Sequence, residues 1–141
     1  MIIRFIILLP LLITAQNNSF ICGVWIEEEK RSHIEIYETN HGLYEGRIVW
    51  LAEPYDENGN VKLDTKNPDK ELQKRTLHGL TIIKNLSIAN DKKWTNGTIY
   101  DARTGRTYSL NVTLADIDNL ILKGYMGFSF IGKSTKWTRK E

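Results

Sequence analysis

Apolar and polar residues alternate along most of the chain with the period of a β-strand. The pattern is cleanest from Thr107 to Leu114, where Tyr108, Leu110, Val112 and Leu114 share one face and Thr107, Ser109, Asn111 and Thr113 the other. Such a segment is a strand with one buried and one wet face. Together with the segment that starts at Trp94 it forms a hairpin around the turn Asp101-Ala102-Arg103-Thr104-Gly105. Similar patterns predict strands over residues 22–27, 32–38, 43–51 and 79–88 before this hairpin, and over 120–124 and 128–139 after it. Short turns rich in Gly, Asn and Asp separate most of them. In the third of these strands Gly46 marks a bulge or a close packing partner. About eight consecutive strands and no long helix predict one all-β domain. An antiparallel meander of that size leaves two bare edges unless it closes into an up-and-down barrel, so closure is the expected architecture.

The rhythm breaks between residues 52 and 76. This stretch holds scattered apolar residues, Pro54, Pro68 and the turn Glu57-Asn58-Gly59-Asn60. Asn67 and Pro68 predict the cap and first residue of a short helix. A loop this long in a small domain is more often functional than neutral, and it is a candidate lid.

The first fifteen residues differ from the rest. Arg4 precedes an apolar run, Phe5 to Ile13, and Thr14-Ala15 supplies small residues before a polar stretch. These are the three parts of a secretory signal peptide cleaved after Ala15, and the run is too short to span a bilayer. The mature domain is then 16–141, periplasmic or secreted, with no transmembrane segment. Losing Arg4 leaves 18 of the 19 basic residues against 17 acidic ones, with no basic stripe suited to nucleic acid. Cys22 is the only cysteine, so no internal disulfide forms. A bulky Ile21 before it speaks against a lipid-attachment site, and a small buried hydrophobe is the better reading.

The order and spacing of several short motifs resemble a known family. They are Gly23-Val24-Trp25, Gly46-Arg47-Ile48-Val49-Trp50-Leu51, Asn67-Pro68, His78-Gly79-Leu80, Trp94 with Asn96-Gly97, Ile99-Tyr100-Asp101, Gly124-Tyr125, and Trp137 with Arg139. Over roughly residues 23–139 the chain is similar to the bacterial family called domain of unknown function 2147. The resemblance implies an exported protein with a lipocalin-like barrel and implies no activity. Thr76 stands where members of that family usually carry a proline. The Gly-x-Trp also resembles the first strand of lipocalins, in which an arginine from the last strand covers the indole. That resemblance gives Trp25 and Arg139 a structural role in closing one barrel end.

An eight-stranded barrel is wide enough to hold one small ligand or to be filled by its own side chains. Trp50, Tyr100, Tyr108, Tyr125 and Phe130 are the large side chains that decide which. Trp50, Tyr100, Asp101, Tyr108 and Tyr125 are the candidate ligand-binding residues. Asp101 near Arg103 and Arg106 either ties its own turn or orients a polar ligand at the barrel mouth. His33 and His78 are the candidates for acid–base or metal chemistry, with no spacing that favours it. The stretch from Asp56 to Asn60 has oxygen donors near a glycine but not the spacing of a calcium loop. No serine has a nucleophile-elbow context. The expected function is binding of a small, partly apolar molecule without catalysis and without a cofactor. The alternatives are an envelope-protein interaction module built on the 52–76 loop, and an enzyme using His33 or His78.

Overall fold

The computed structural model describes residues 2, 19–126 and 133–141. The signal segment expected at residues 1–15, Ile2 apart, lies outside them, as do Gly127, Phe128, Ser129, Phe130 and Gly132. Eight strands follow one another: β1 (Gly23–Ile26), β2 (Ser32–Glu38), β3 (Tyr44–Leu51), β4 (Thr81–Asn90), β5 (Lys93–Asp101), β6 (Arg106–Asp116), β7 (Asn119–Tyr125) and β8 (Lys133–Arg139). Each pairs antiparallel with the next, and β8 returns to β1, so the sheet is a closed up-and-down barrel. The expected closure is therefore what the chain adopts. It leaves no sheet edge for intermolecular pairing except where the seam is short.

Strand β6 shows why the chain folds this way. Leu110, Val112 and Leu114 are buried and face inward, while Thr107, Ser109 and Thr113 are exposed. Its neighbour β7 matches it in register, Val112 against Leu122 and Leu114 against Leu120, which doubles the apolar surface at each level. Ile34, Ile36, Ile48, Ile83, Leu86 and Trp94 complete the core from the other strands. Burial of an aliphatic side chain of this size contributes roughly 1.5–3 kcal/mol, which outweighs the weak intrinsic preference of any one strand.

Inward glycines let strands bend. A Cβ on Gly46 would lie 3.1 Å from Ile83, at the place where the β3–β4 register shifts. Gly97 stands closer still, with a Cβ there only 2.6 Å from Leu86, beside the register shift between β5 and β6. A third shift, between His33 and Ile34, puts an extra residue into β3. It changes which face the end of β3 presents: Ile48 and Leu51 line the interior, whereas Trp50 does not.

The 52–76 segment is tied within itself and, through Asp64, to Tyr100 of β5. Bridges join Tyr55 to Val61 and Leu63 to Thr76. Its helix is a 3-10 turn, Lys70–Lys74, capped by Asp69, whose side chain accepts from the N–H of Glu71. Asn67 was the expected cap, but its side chain is already used: Nδ2 donates to Asp64 and Oδ1 accepts from the N–H of Asp69. The next side-chain acceptor along the chain takes over. Where the segment passes the β5–β6 turn, the backbone carbonyl of Lys66 leaves no room for a Cβ at Gly105, which also has φ +74.

Candidate functional site

One end of the barrel is sealed by the ends of the chain. Trp25 on β1 is fully buried and its Nε1 donates to the Ile21 carbonyl at 2.9 Å. The Arg139 guanidinium lies over the indole, 4.2 Å from the ring centroid. Its Nη2 donates to Phe20 O at 2.6 Å, its Nη1 to Cys22 O at 3.1 Å and its Nε to Ile117 O at 2.8 Å. One side chain thus ties the segment before β1, the last strand and the β6–β7 turn together. Gly23 is needed there twice over: its φ is +136, and a Cβ would lie 2.7 Å from Arg139 Nη1. Cys22, next to this knot, is partly buried, which pushes its thiol pKa up, and Glu38 adds to the effect.

Among the described residues the other end is open. Between Trp137, near the middle of the barrel, and the turns at the mouth lies a cavity of about 560 Å³. Ile34, Ile48, Leu51, Ile82, Leu110 and Leu122 form its wall, with Tyr100, Tyr108 and Trp137 as the aromatics that line it. The size and apolar lining are those of a site for one small molecule. Charged residues ring the rim. Arg103 Nη1 pairs with Glu29 at 3.2 Å and its Nε with Asp101 at 3.2 Å; Arg31 also pairs with Glu29; Lys62 meets Glu53 at 3.5 Å.

Of the residues singled out from the sequence, Tyr100, Asp101 and Tyr108 come together at the cavity. Asp101 also ties its own turn, accepting from the N–H of Arg103 through its side chain and from Thr104 and Gly105 through its carbonyl. Trp50 and Tyr125 do not join them. Trp50 lies outside, 43% exposed, with its ring stacked on His33 at 4.2 Å. Tyr125 follows the inward Gly124 and shares the outer face of β7 with Lys123, which sits 5.8 Å above its ring. His33 is held below its ordinary pKa, mainly by burial and then by Lys140. His78 bonds the Val49 carbonyl at 3.1 Å. Neither histidine lines the cavity. Asp56 spends its carboxylate on the N–H groups of Asn58 and Asn60, as a self-closed turn does. Among the described residues no three His, Cys, Asp or Glu side chains converge as a metal site.

Sequence reasoning did not single out Asp64. Asp64 is fully buried. Its Oδ1 accepts from Tyr100 OH at 2.5 Å and its Oδ2 from Asn67 and Arg75 at 2.9 and 3.1 Å. Burial, and then this carboxylate, push the Tyr100 phenol up to about 12.

A sequence model for the family described as uncharacterized protein conserved in bacteria, DUF2147, matches residues 23–139. The chain belongs to that family. The match begins at the Gly23 that Arg139 requires and ends at Arg139 itself, so the DUF2147 unit is the complete barrel. This DUF2147 barrel is similar in fold to protein HP1028 from the human pathogen Helicobacter pylori, described as belonging to the lipocalin family. The TM-score is 0.72 and the identity 23%, over 86% of this chain and 83% of that one. No curated protein matches the chain in sequence. No helix among the described residues is long and apolar enough to cross a membrane.

Proposed function

We propose that this protein binds one small, partly apolar molecule in the open end of its barrel and releases it unchanged. The observation that carries the reading is the cavity of about 560 Å³, apolar along its wall and charged only at its rim. A chain that needed only stability would fill this space, because interiors pack to the density of organic crystals. The apolar segment at the N-terminus supports the further proposal that the protein acts after export, in the periplasm or outside the cell.

The test is binding with the cup open and filled. Native mass spectrometry of the purified protein is expected to show a co-purifying small molecule. Gly124→Leu puts a side chain into the cavity beside Tyr108, where a Cβ meets only ordinary contacts at 3.6 Å. It is expected to abolish that adduct with the far-ultraviolet spectrum unchanged. An adduct that persists in Gly124→Leu, or none in either protein, overturns the reading.

A second reading concerns the outside of the 52–76 segment. Tyr55 and Val61 are bridged neighbours and remain 60% and 47% exposed. That pair favours contact with an envelope protein. Replacing both with serine is expected to abolish capture of such a partner while leaving small-molecule binding intact.

A further inference from the structure

The charged side chains at the mouth differ in how many of their hydrogen bonds are already spent. The acids are mostly committed. Glu27 gives one carboxylate oxygen to the N–H of Glu29 at 3.0 Å and the other to the N–H of Arg31. Asp101 accepts from both the backbone and the side chain of Arg103. The basic side chains keep donors in hand. A guanidinium carries five N–H groups, and among the described residues Arg31 meets Glu29 through Nη2. Lys62 reaches the cavity wall with one partner, Glu53, which is 86% exposed.

Glu29 is the centre of the arrangement. Its Oε2 accepts from Arg31 Nη2 and from Arg103 Nη1, so a carboxylate already sits between two guanidinium groups. Topology gives that contact a second meaning. Glu29 lies in the turn from β1 to β2 and Arg103 in the turn from β5 to β6. Four strands separate these turns in either direction round an eight-stranded ring, so the pair crosses the opening rather than following its edge. Both side chains are about half exposed, and an exposed pair of this kind is held weakly.

We propose that the cup takes a single-chain amphiphile with an anionic head, and that the head replaces Glu29 between Arg31 and Arg103. Entry then opens the strap across the mouth. This rests on the cavity-binding reading above and adds the head group to it. The chain of the amphiphile lies along the apolar wall down to Trp137. The head receives the charge-assisted, forked bonds that guanidinium groups make to carboxylate or phosphate. A cationic head meets Glu27 and Asp101, whose carboxylates already accept from backbone N–H groups, and three basic side chains besides.

Calorimetric titration of the full chain with dodecanoate, dodecyl phosphate, dodecanol and dodecylamine separates the possibilities. The anionic probes are expected to bind about tenfold tighter than dodecanol, since bonds to charged groups exceed neutral ones by that order. The advantage shrinks as salt rises. The ranking of dodecanoate against dodecyl phosphate tells whether the natural head is a carboxylate or a phosphate. Glu29→Gln removes the competing charge and is expected to tighten dodecanoate severalfold without changing dodecanol. Arg31→Ala combined with Arg103→Ala is expected to erase the anionic advantage. If dodecanol or dodecylamine binds as tightly as dodecanoate, or if Glu29→Gln is silent, the head-group assignment is overturned while the cup remains a binding site. Failure of all four probes to bind overturns both.

Discussion

The two ends of the barrel use the same kinds of side chain under opposite conditions. At the sealed end one arginine, Arg139, reaches three backbone carbonyls and covers a buried indole. At the mouth three charged side chains, Glu29, Arg31 and Arg103, answer one another in water, each about half exposed. At the sealed end the partly buried Cys22 carbonyl loses its donor if the arginine goes, at a cost of roughly 1–3 kcal/mol, and the fully buried Trp25 loses the cation over its ring. Charges at the mouth lose little, because water replaces the partner. The barrel is therefore firm where its first and last strands meet and adaptable where a ligand enters.

The largest expected effect tests the firm end. Arg139→Met keeps most of the side-chain volume over Trp25 but removes every donor. It is expected to lower unfolding free energy by about 3–4 kcal/mol, from the lost charge-assisted bonds, chiefly the one to the partly buried Cys22 carbonyl, and the lost cation–π contact. Urea denaturation measures it. A loss below about 1 kcal/mol would place both ends in the same class.

Asp64 sharpens the comparison because it lies on the mouth side yet is as buried as Trp25. If burial rather than position decides, Asp64→Asn must behave like a change at the sealed end. The new amide turns a donor towards Tyr100, Asn67 or Arg75, which all donate already. The expected cost is about 3 kcal/mol, as for other buried charge clusters broken on one side. Amide exchange should quicken first in residues 62–76, which the cluster holds. Uniform exchange across the barrel would show instead that the segment and the barrel open as one unit.

How much of this could be read from the sequence depends on the range of the interactions. The alternation at Tyr108, Leu110, Val112 and Leu114 is a local property, and it gave both the strand and its inward face. The pairing of a Gly-x-Trp with a final arginine was legible because a resemblance supplied a contact that spacing alone does not. Trp50 was not legible as an outward residue. The shift between His33 and Ile34 inserts one residue, and a one-residue slip turns a side chain to the other face. Asp64 was not legible either, since its partner Tyr100 is 36 residues away and no period connects them. Asn67 failed as a helix cap for a local reason: its side-chain oxygen accepts from the N–H of Asp69, and Asp69 caps the turn instead.

A smaller effect follows from Tyr100, which joins the mouth to the pinned segment. Its phenol is pushed up to about 12, first by burial and then by the Asp64 carboxylate. The group is neutral when protonated, so the folded state holds its proton more tightly than the unfolded chain does. Its contribution to stability is complete below about pH 10, the ordinary tyrosine value, and disappears as pH rises towards about 12. Tyr100→Phe is expected to remove the bond at a cost of about 1.5–2 kcal/mol at neutral pH. It also removes this part of the alkaline loss. Denaturation curves across that range, compared between the two proteins, check the sign. An alkaline loss unchanged in Tyr100→Phe would mean that other groups are responsible.

The smallest expected effect is at the strap. Arg103→Ala deletes the contacts to Glu29 and Asp101, both exposed enough for water to compensate. Unfolding free energy should fall by less than about 1 kcal/mol, and by less still in salt, which screens such pairs already. The backbone of the turn should survive, because Asp101 holds it through the N–H groups of residues 103, 104 and 105 rather than through the guanidinium. Set beside Arg139→Met, this is one residue type, one deletion of donors and several-fold different cost. A cost at Arg103 that approached the one at Arg139 would mean that the mouth is a structural closure, and the division between a firm floor and an adaptable opening would fall.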